Sequence, residues 1–491
     1  MPLSNALVRS FVVLVAGSLV SGAVLAQAPA PAAPQAPQLA LAPCAGRPAS
    51  DTARCGTLEE FENRETKKGR TIRLNVLVLP ARNKVHVFDP VFWLDGGPGA
   101  AATRAVGAAR GGVLTALNAD HDVVFVDQRG TGKSNGLDCD IGDDPRDAAS
   151  YYGPILPVSL VKACRAKLEP LADLRLYTTP IAMDDLDDVR NALGYAEVDI
   201  VAASYGTIAA QVYIRQHGDR VRAAFLSGVA TPSIKQPLLF ARAAQVALDS
   251  LFVDCAADAD CAKAFPKLRA DFAAALARFD HGPVDIAVPD SGASAPRHVA
   301  LPRETYVERL RLLLYGTTTA RLVPKIVHAA AAGDFEPFVR ETRSRNVGGS
   351  LSRGMYLTVT CSEGVPFITA KELADASRGT FVGERRVRAH QAACAEWPRG
   401  EVPKGYTDAV ASNVPVFLLS GAVDGSTPPS YGAGAVKKLS AGRQVVVRYL
   451  GHQMDSPCVV EMLGRFIATA SASSVDVSCT KTIRRPPFVT Q

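Results

Sequence analysis

The sequence contains no basic run interleaved with aromatic residues. Its formal charge of +6 is spread over 491 residues, so nothing in it prepares a surface for nucleic acid. It has no C-x-x-C pair and no histidine cluster beside a cysteine, which leaves a metal site without ligands. No internal repeat is visible. No apolar stretch reaches the ~20 residues a membrane-spanning helix needs, and no stable membrane association is expected. Histidine is scarce, with eight in the chain, so the position of each one carries information. What is present is ordinary for a globular protein: 47% hydrophobic and 21% charged residues. The length exceeds what one simple core accommodates, and a core with a large insertion is expected.

The first residues read as an export signal. Arg9 supplies a positive start, Phe11 to Leu25 is apolar, and small residues around Ala26 offer a cleavage site. No cysteine follows that site, so a lipid anchor is not suggested. The expected order is a signal peptide over 1–26, an extended Ala/Pro-rich linker over 27–43, a first core segment over 44–231, a mainly helical cap over 232–412, and a second core segment with the C-terminal tail over 413–491. Ten cysteines suit a secreted or periplasmic chain. They fall along the chain as five neighbouring pairs. Short loops close most readily, so Cys44–Cys55, Cys139–Cys164, Cys255–Cys261, Cys361–Cys394 and Cys458–Cys479 are the expected bridges.

Apolar and β-branched runs predict strands at Thr71–Leu79, Pro90–Leu94, Asp122–Asp127, Val198–Ala203, Val221–Gly228, Val414–Ser420 and Gln444–Leu450. Helical spacing is read over Asp184–Leu193 and Thr207–His217. Strands alternating with helices imply a mainly parallel sheet with helices on both faces. Gln236–Phe279 and Tyr306–Arg340 are Ala- and Leu-rich with helical spacing, which makes the segment between the strands a helical insertion.

The strongest chemical signal is Ala202-Ala203-Ser204-Tyr205-Gly206, where a buried strand passes into a helix. A sharp turn there lifts a serine hydroxyl above the sheet and needs small residues around it. The plain alternative is a serine capping an ordinary helix. Upstream, Asp95-Gly96-Gly97-Pro98-Gly99 follows a strand and can turn backbone N–H groups toward a reacting carbonyl oxygen. Asp424 lies in the loop after Val414–Ser420, and His452 directly after Gln444–Leu450. Both positions are carboxyl ends of strands, where open α/β sheets carry their sites. A nucleophilic serine needs a base, and the base an orienting acid. Ser204, Asp424 and His452 in that chain order supply them, with the N–H groups of Gly97 and Tyr205 as oxyanion donors. The chemistry requires no cofactor and no metal.

These motifs carry a resemblance. WLDGGPGA at Trp93–Ala100, DQRGTGKS at Asp127–Ser134, ASYGT at Ala203–Thr207, SGAVDGSTPP at Ser420–Pro429 and GHQMDSPCV at Gly451–Val459 resemble the α/β-hydrolases of the tripeptidyl aminopeptidase and proline iminopeptidase group. The resemblance runs from about Cys44 onward and is weak in the cap. It implies the α/β-hydrolase fold, a serine triad of Ser204, Asp424 and His452, and release of residues or short peptides from free N-termini. Two positions depart from the pattern. Asp95 stands where iminopeptidases carry histidine, which bears on proline specificity, and Ala202 replaces the first glycine of the serine motif.

A carboxylesterase using the same triad is the first alternative, so the expected substrate is a peptide or a small ester. A non-catalytic binding protein on this fold is the remote alternative. A peptidase acting at N-termini must recognise a free amine, and a buried carboxylate is the natural partner. Glu363 is the candidate. It follows Met355–Thr360, which reads as a short strand, and relatives with this cap carry similar Cys-x-Glu segments.

Overall fold

The computed structural model describes residues 39–491 apart from 48–50, 84–87, 290–294, 345–350 and 453–455. The signal peptide and most of the linker expected before residue 39 lie outside the described residues. Eleven strands are found among the described residues: β1 (Ala42–Pro43), β2 (Arg54–Phe61), β3 (Thr71–Leu79), β4 (Phe88–Leu94), β5 (His121–Val126), β6 (Val198–Ala203), β7 (Val221–Ser227), β8 (Val284–Val288), β9 (Arg297–Leu301), β10 (Val416–Gly421) and β11 (Gly442–Val447). Nine of them form one sheet in the order β1-β2-β3-β5-β4-β6-β7-β10-β11. Pairing is antiparallel from β1 to the β3–β5 contact and parallel from β5 to β11.

Alternation along the strands splits the core between two faces. Phe92, Leu94, Val124, Val126, Ile200 and Ala202 pack on one side, against the helices Thr179–Ala192 and Tyr205–His217. Val91, Val123, Phe125, Val201, Phe225 and Phe417 pack on the other, where the helix Pro457–Thr469 brings Met462, Leu463 and Phe466. The chain leaves β4 toward β5 on one side and leaves β6 toward β7 on the other. The carboxyl ends of the adjacent strands β4 and β6 therefore flank the point where strand order reverses, which is where ligands enter such sheets.

Between β7 and β10 the chain is helical, with Phe240–Ala257, Arg303–Leu313, Val323–Ala332 and Arg385–Ala395 among its elements. It also contains the antiparallel hairpin of β8 and β9, which its sequence did not announce. This part has its own core around Leu251, Phe272, Tyr306, Leu310, Val327 and Phe338. Two expectations are corrected. Met355–Thr360 is not a strand but lies in the helix Arg353–Val359 and the π-helical turn Thr360–Gly364. A short apolar run buried all round has no period to separate helix from strand. Residues 39–43, expected as mobile linker, are docked: the Leu39 N–H donates to the Ala192 carbonyl at 2.9 Å, and β1 pairs with β2 beside the Cys44–Cys55 bridge. β2 itself was not anticipated, because a strand with cysteine, glycine and adjacent glutamates shows little alternation.

All ten cysteines are paired, each with its neighbour in sequence as expected. No helix among the described residues is long and apolar enough to cross a membrane.

Candidate active site

Ser204 sits at the end of β6 with φ +56° and ψ −126°, a conformation that a non-glycine residue adopts only when its surroundings impose it. Its N–H is fixed to the Ser227 carbonyl at 3.0 Å. Gly206 is required on the helix side, because a Cβ there would lie 2.1 Å from the Leu94 carbonyl oxygen. Ala202 is an interior, fully buried position of β6, paired with both β4 and β7, so its methyl group is accommodated and the departure from glycine costs the turn nothing visible. The Asp95–Gly99 loop closes over the serine. A Cβ built on Gly96 would stand 3.0 Å from Ser204 Cβ and 3.5 Å from its Oγ.

The histidine and the acid arrive from β11 and β10. His452 Nδ1 lies 2.9 Å from Asp424 Oδ2 and 3.1 Å from Thr427 Oγ1. Asp424 is buried and accepts from the Ser426 N–H, the Thr427 N–H and the Thr427 hydroxyl, each at 2.8 Å. A carboxylate so saturated holds its orientation and presents its remaining lone pair to the imidazole. On its other flank the ring packs beside Tyr315, with centroids 5.2 Å apart, and the His452 N–H donates to the Tyr315 carbonyl. Gly228, at φ +59°, leaves room for the ring: a Cβ there would lie 3.1 Å from both Cε1 and Nδ1.

Ser204, His452, Ser426, Gly96 and Gly97 line one cavity of about 490 Å³, the size of a small-molecule or short-peptide site. Tyr205 opens the helix Tyr205–His217, which leaves its N–H without an intrahelical acceptor. Its side chain turns away from the cavity, with its hydroxyl 2.6 Å from Thr179 Oγ1. The DQRGTGKS motif braces this assembly. Asp127 accepts from Asn75, from the N–H and hydroxyl of Thr103 and from the Lys133 N–H, tying the segment after Gly99 to the end of β5. Arg129, fully buried, grips Asp185 through Nε at 2.6 Å and a second nitrogen at 2.7 Å.

Glu363 is not among the described residues lining that cavity. It is buried behind Tyr205, accepting from the Thr179 N–H at 2.6 Å, from Thr179 Oγ1 at 2.7 Å and from the Tyr406 hydroxyl. The π-helical turn rotates it away from the serine, a register that the strand reading of Met355–Thr360 had no means of supplying. Burial pushes its carboxyl up to about 7, against those hydrogen bonds. The carboxylates that do line the cavity are Asp95, Asp143 and Glu308. Burial raises Asp95 and Asp143 from the usual carboxylate range. Glu308 is also buried, yet Arg311 and Arg386 hold it down at about 2. Sequence reasoning missed all the charged residues of the helix Arg303–Leu313. On a helix buried on every side, no face is marked as the one that meets the site.

Two family models match the chain: alpha/beta hydrolase fold over residues 89–286, and TAP-like protein over residues 379–479. The chain is an α/β-hydrolase of the tripeptidyl aminopeptidase-like group. The two matched segments of this hydrolase hold all but the first residue of β4, then β5 to β7, and β10 to β11, and with them Ser204, Asp424 and His452. No curated protein matches its sequence. Solved structures similar to it include a serine hydrolase from Cycloclasticus zankles, 10% identical over 85% of this chain and 95% of that one, with a TM-score of 0.33. An esterase from Thermogutta terrifontis is 12% identical over 84% and 95%, with a TM-score of 0.36. An esterase from Exiguobacterium antarcticum is 13% identical over 81% and 95%, with a TM-score of 0.34.

Proposed function

We propose that this hydrolase is an exported serine peptidase that releases residues or short peptides from free N-termini through an acyl-enzyme. The observation that carries the reading is the His452–Asp424 pair, 2.9 Å apart, opening with the strained Ser204 turn into one cavity. His452 takes the Ser204 proton as Oγ attacks the substrate carbonyl carbon, and Asp424 holds the imidazole and stabilises its charged form. The N–H groups of Gly97 and Tyr205 receive the developing oxyanion, a contribution of ~3 kcal/mol per donor in such sites. His452 returns the proton to the leaving amine, and water then releases the acyl group by the same steps in reverse.

The peptidase reading is supported by the TAP-like match over 379–479 and by the Asp95 carboxyl group in the cavity, which suits a substrate ammonium. Asp95, next to Gly96 in the loop over Ser204, replaces Glu363 as the candidate partner of the amine. Export is supported by the pairing of all ten cysteines. The test is a set of aminoacyl and tripeptidyl fluorogenic amides offered with the N-terminus free and N-acylated, beside a p-nitrophenyl acyl ester. The peptidase reading predicts turnover of the free amines and little of the blocked ones. Turnover of the ester, with blocked and free amides equally untouched, replaces it with a carboxylesterase.

A further inference from the structure

The charge in the cavity is unbalanced. Among the described residues lining it are five arginines and three carboxylates, a formal excess of two positive charges. The centre of the excess is Glu308. It accepts from Arg311 Nε at 2.9 Å and from a second Arg311 nitrogen at 2.5 Å, and Arg386 donates to the same carboxylate. One carboxylate between two guanidinium groups leaves one positive charge over. Arg309 adds another: it donates to the Tyr151 carbonyl at 2.6 Å and lies 3.6 Å from the centroid of the Tyr151 ring, both of them neutral partners. The cluster is joined to the candidate base, because Arg311 also donates at 2.7 Å to the hydroxyl of Tyr315, the residue packed on His452. Arg309 and Arg311 are buried, and Arg386 is nearly so. Guanidinium groups withdrawn from water in excess of their carboxylates form a wall for an anion, and a planar fork fits a carboxylate best.

We propose that the substrate of this site carries a carboxylate, held by Arg309 and the Arg386 side of the Glu308 cluster while its scissile carbonyl lies on Ser204. The inference rests on the hydrolase reading above and narrows its substrate class. Two sources supply such a group: the C-terminus of a short peptide or an acidic side chain. The first makes the protein a hydrolase of short free peptides, and the second makes it one of acidic peptides.

The experiment compares kcat/KM for free-amine peptides in matched pairs, one pair differing in a C-terminal carboxylate against its amide and the other in an internal glutamate against glutamine. A tenfold or larger preference for the carboxylate member is expected in one pair, and the pair that shows it names the source. In Arg309→Met that ratio falls toward one, and Arg309→Lys retains part of it. A parallel pair of p-nitrophenyl esters, the hydrogen glutarate and the pentanoate, separates the two proposals. Preference for the glutarate without peptide cleavage keeps the carboxylate site and removes the peptidase reading. Calorimetric titration of the wild-type protein with glutarate against glutaramide reads the site without turnover or variants. Ratios near one in every pair, with no tighter binding of glutarate, overturn the proposal.

Discussion

Gly228 has no side chain, and the His452 ring occupies the space beside it. In Gly228→Ala the new methyl group would stand 3.1 Å from two ring atoms, on a backbone at φ +59° that alanine resists. The ring must shift relative to Ser204, and misplacement by about 1 Å costs on the order of 100-fold in such reactions. A fall of that order in kcat with KM little changed is expected, measured by steady-state kinetics. Glu363 makes a different prediction. An acid whose folded pKa, about 7, stands above its ordinary value of 4.5 binds its proton more tightly when folded. Its contribution to stability is complete below pH ~4.5 and is lost as pH rises through ~7, on the order of 3 kcal/mol. Glu363→Gln should therefore flatten the fall in Tm between pH 5 and pH 8 relative to wild type, followed by thermal denaturation. Because Glu363 touches the site only through Thr179 and Tyr205, its effect on turnover should be equal for free-amine and ester substrates. That Ser204 and His452 meet at one cavity, with Asp424 on the imidazole, was legible because each of the three lies in a glycine-containing turn after a strand. Glu363 and the arginines around Glu308 were not, since each residue of a helix points ~100° from the last and no strand end fixes the count.

At the scale of elements, the apolar strands of the main sheet announced themselves, and their ends fell within three residues of expectation. Elements outside the parallel sheet did not, because the β8–β9 hairpin and the helix Arg353–Val359 take their form from packing in the inserted segment rather than from local pattern. The bridges were legible because each pair is close in sequence. Cys458–Cys479 anchors the first turn of the helix Pro457–Thr469, whose sequence begins soon after His452, to the tail around Ser478–Thr482. Closing a loop of 21 residues restricts the unfolded chain by about 3 kcal/mol. The double variant Cys458→Ser, Cys479→Ser should lose ~2–4 kcal/mol in denaturant unfolding. An unchanged midpoint would mean that the packing of Met462 and Phe466 holds the helix without it.

Over the whole molecule, the strand order does what no single motif does. It sets β4 beside β6 and turns their connections to opposite sides, so that Gly97, Ser204 and, from β10 and β11, Asp424 and His452 meet at one end of the sheet. Segments far apart in sequence, at 95–99, 204 and 424–452, were legible as one site only through the alternation that implied a parallel sheet. The helices of the inserted segment then close the cavity with charged residues that no strand pattern foretells. Labelling of the intact protein with a fluorophosphonate, followed by mass-spectrometric mapping of the adduct, asks whether Ser204 is the nucleophile. That role predicts one adduct, on Ser204, lost in a Ser204→Ala protein that keeps the wild-type circular dichroism and Tm. An adduct on another residue, or labelling of Ser204→Ala at the wild-type rate, would contradict it.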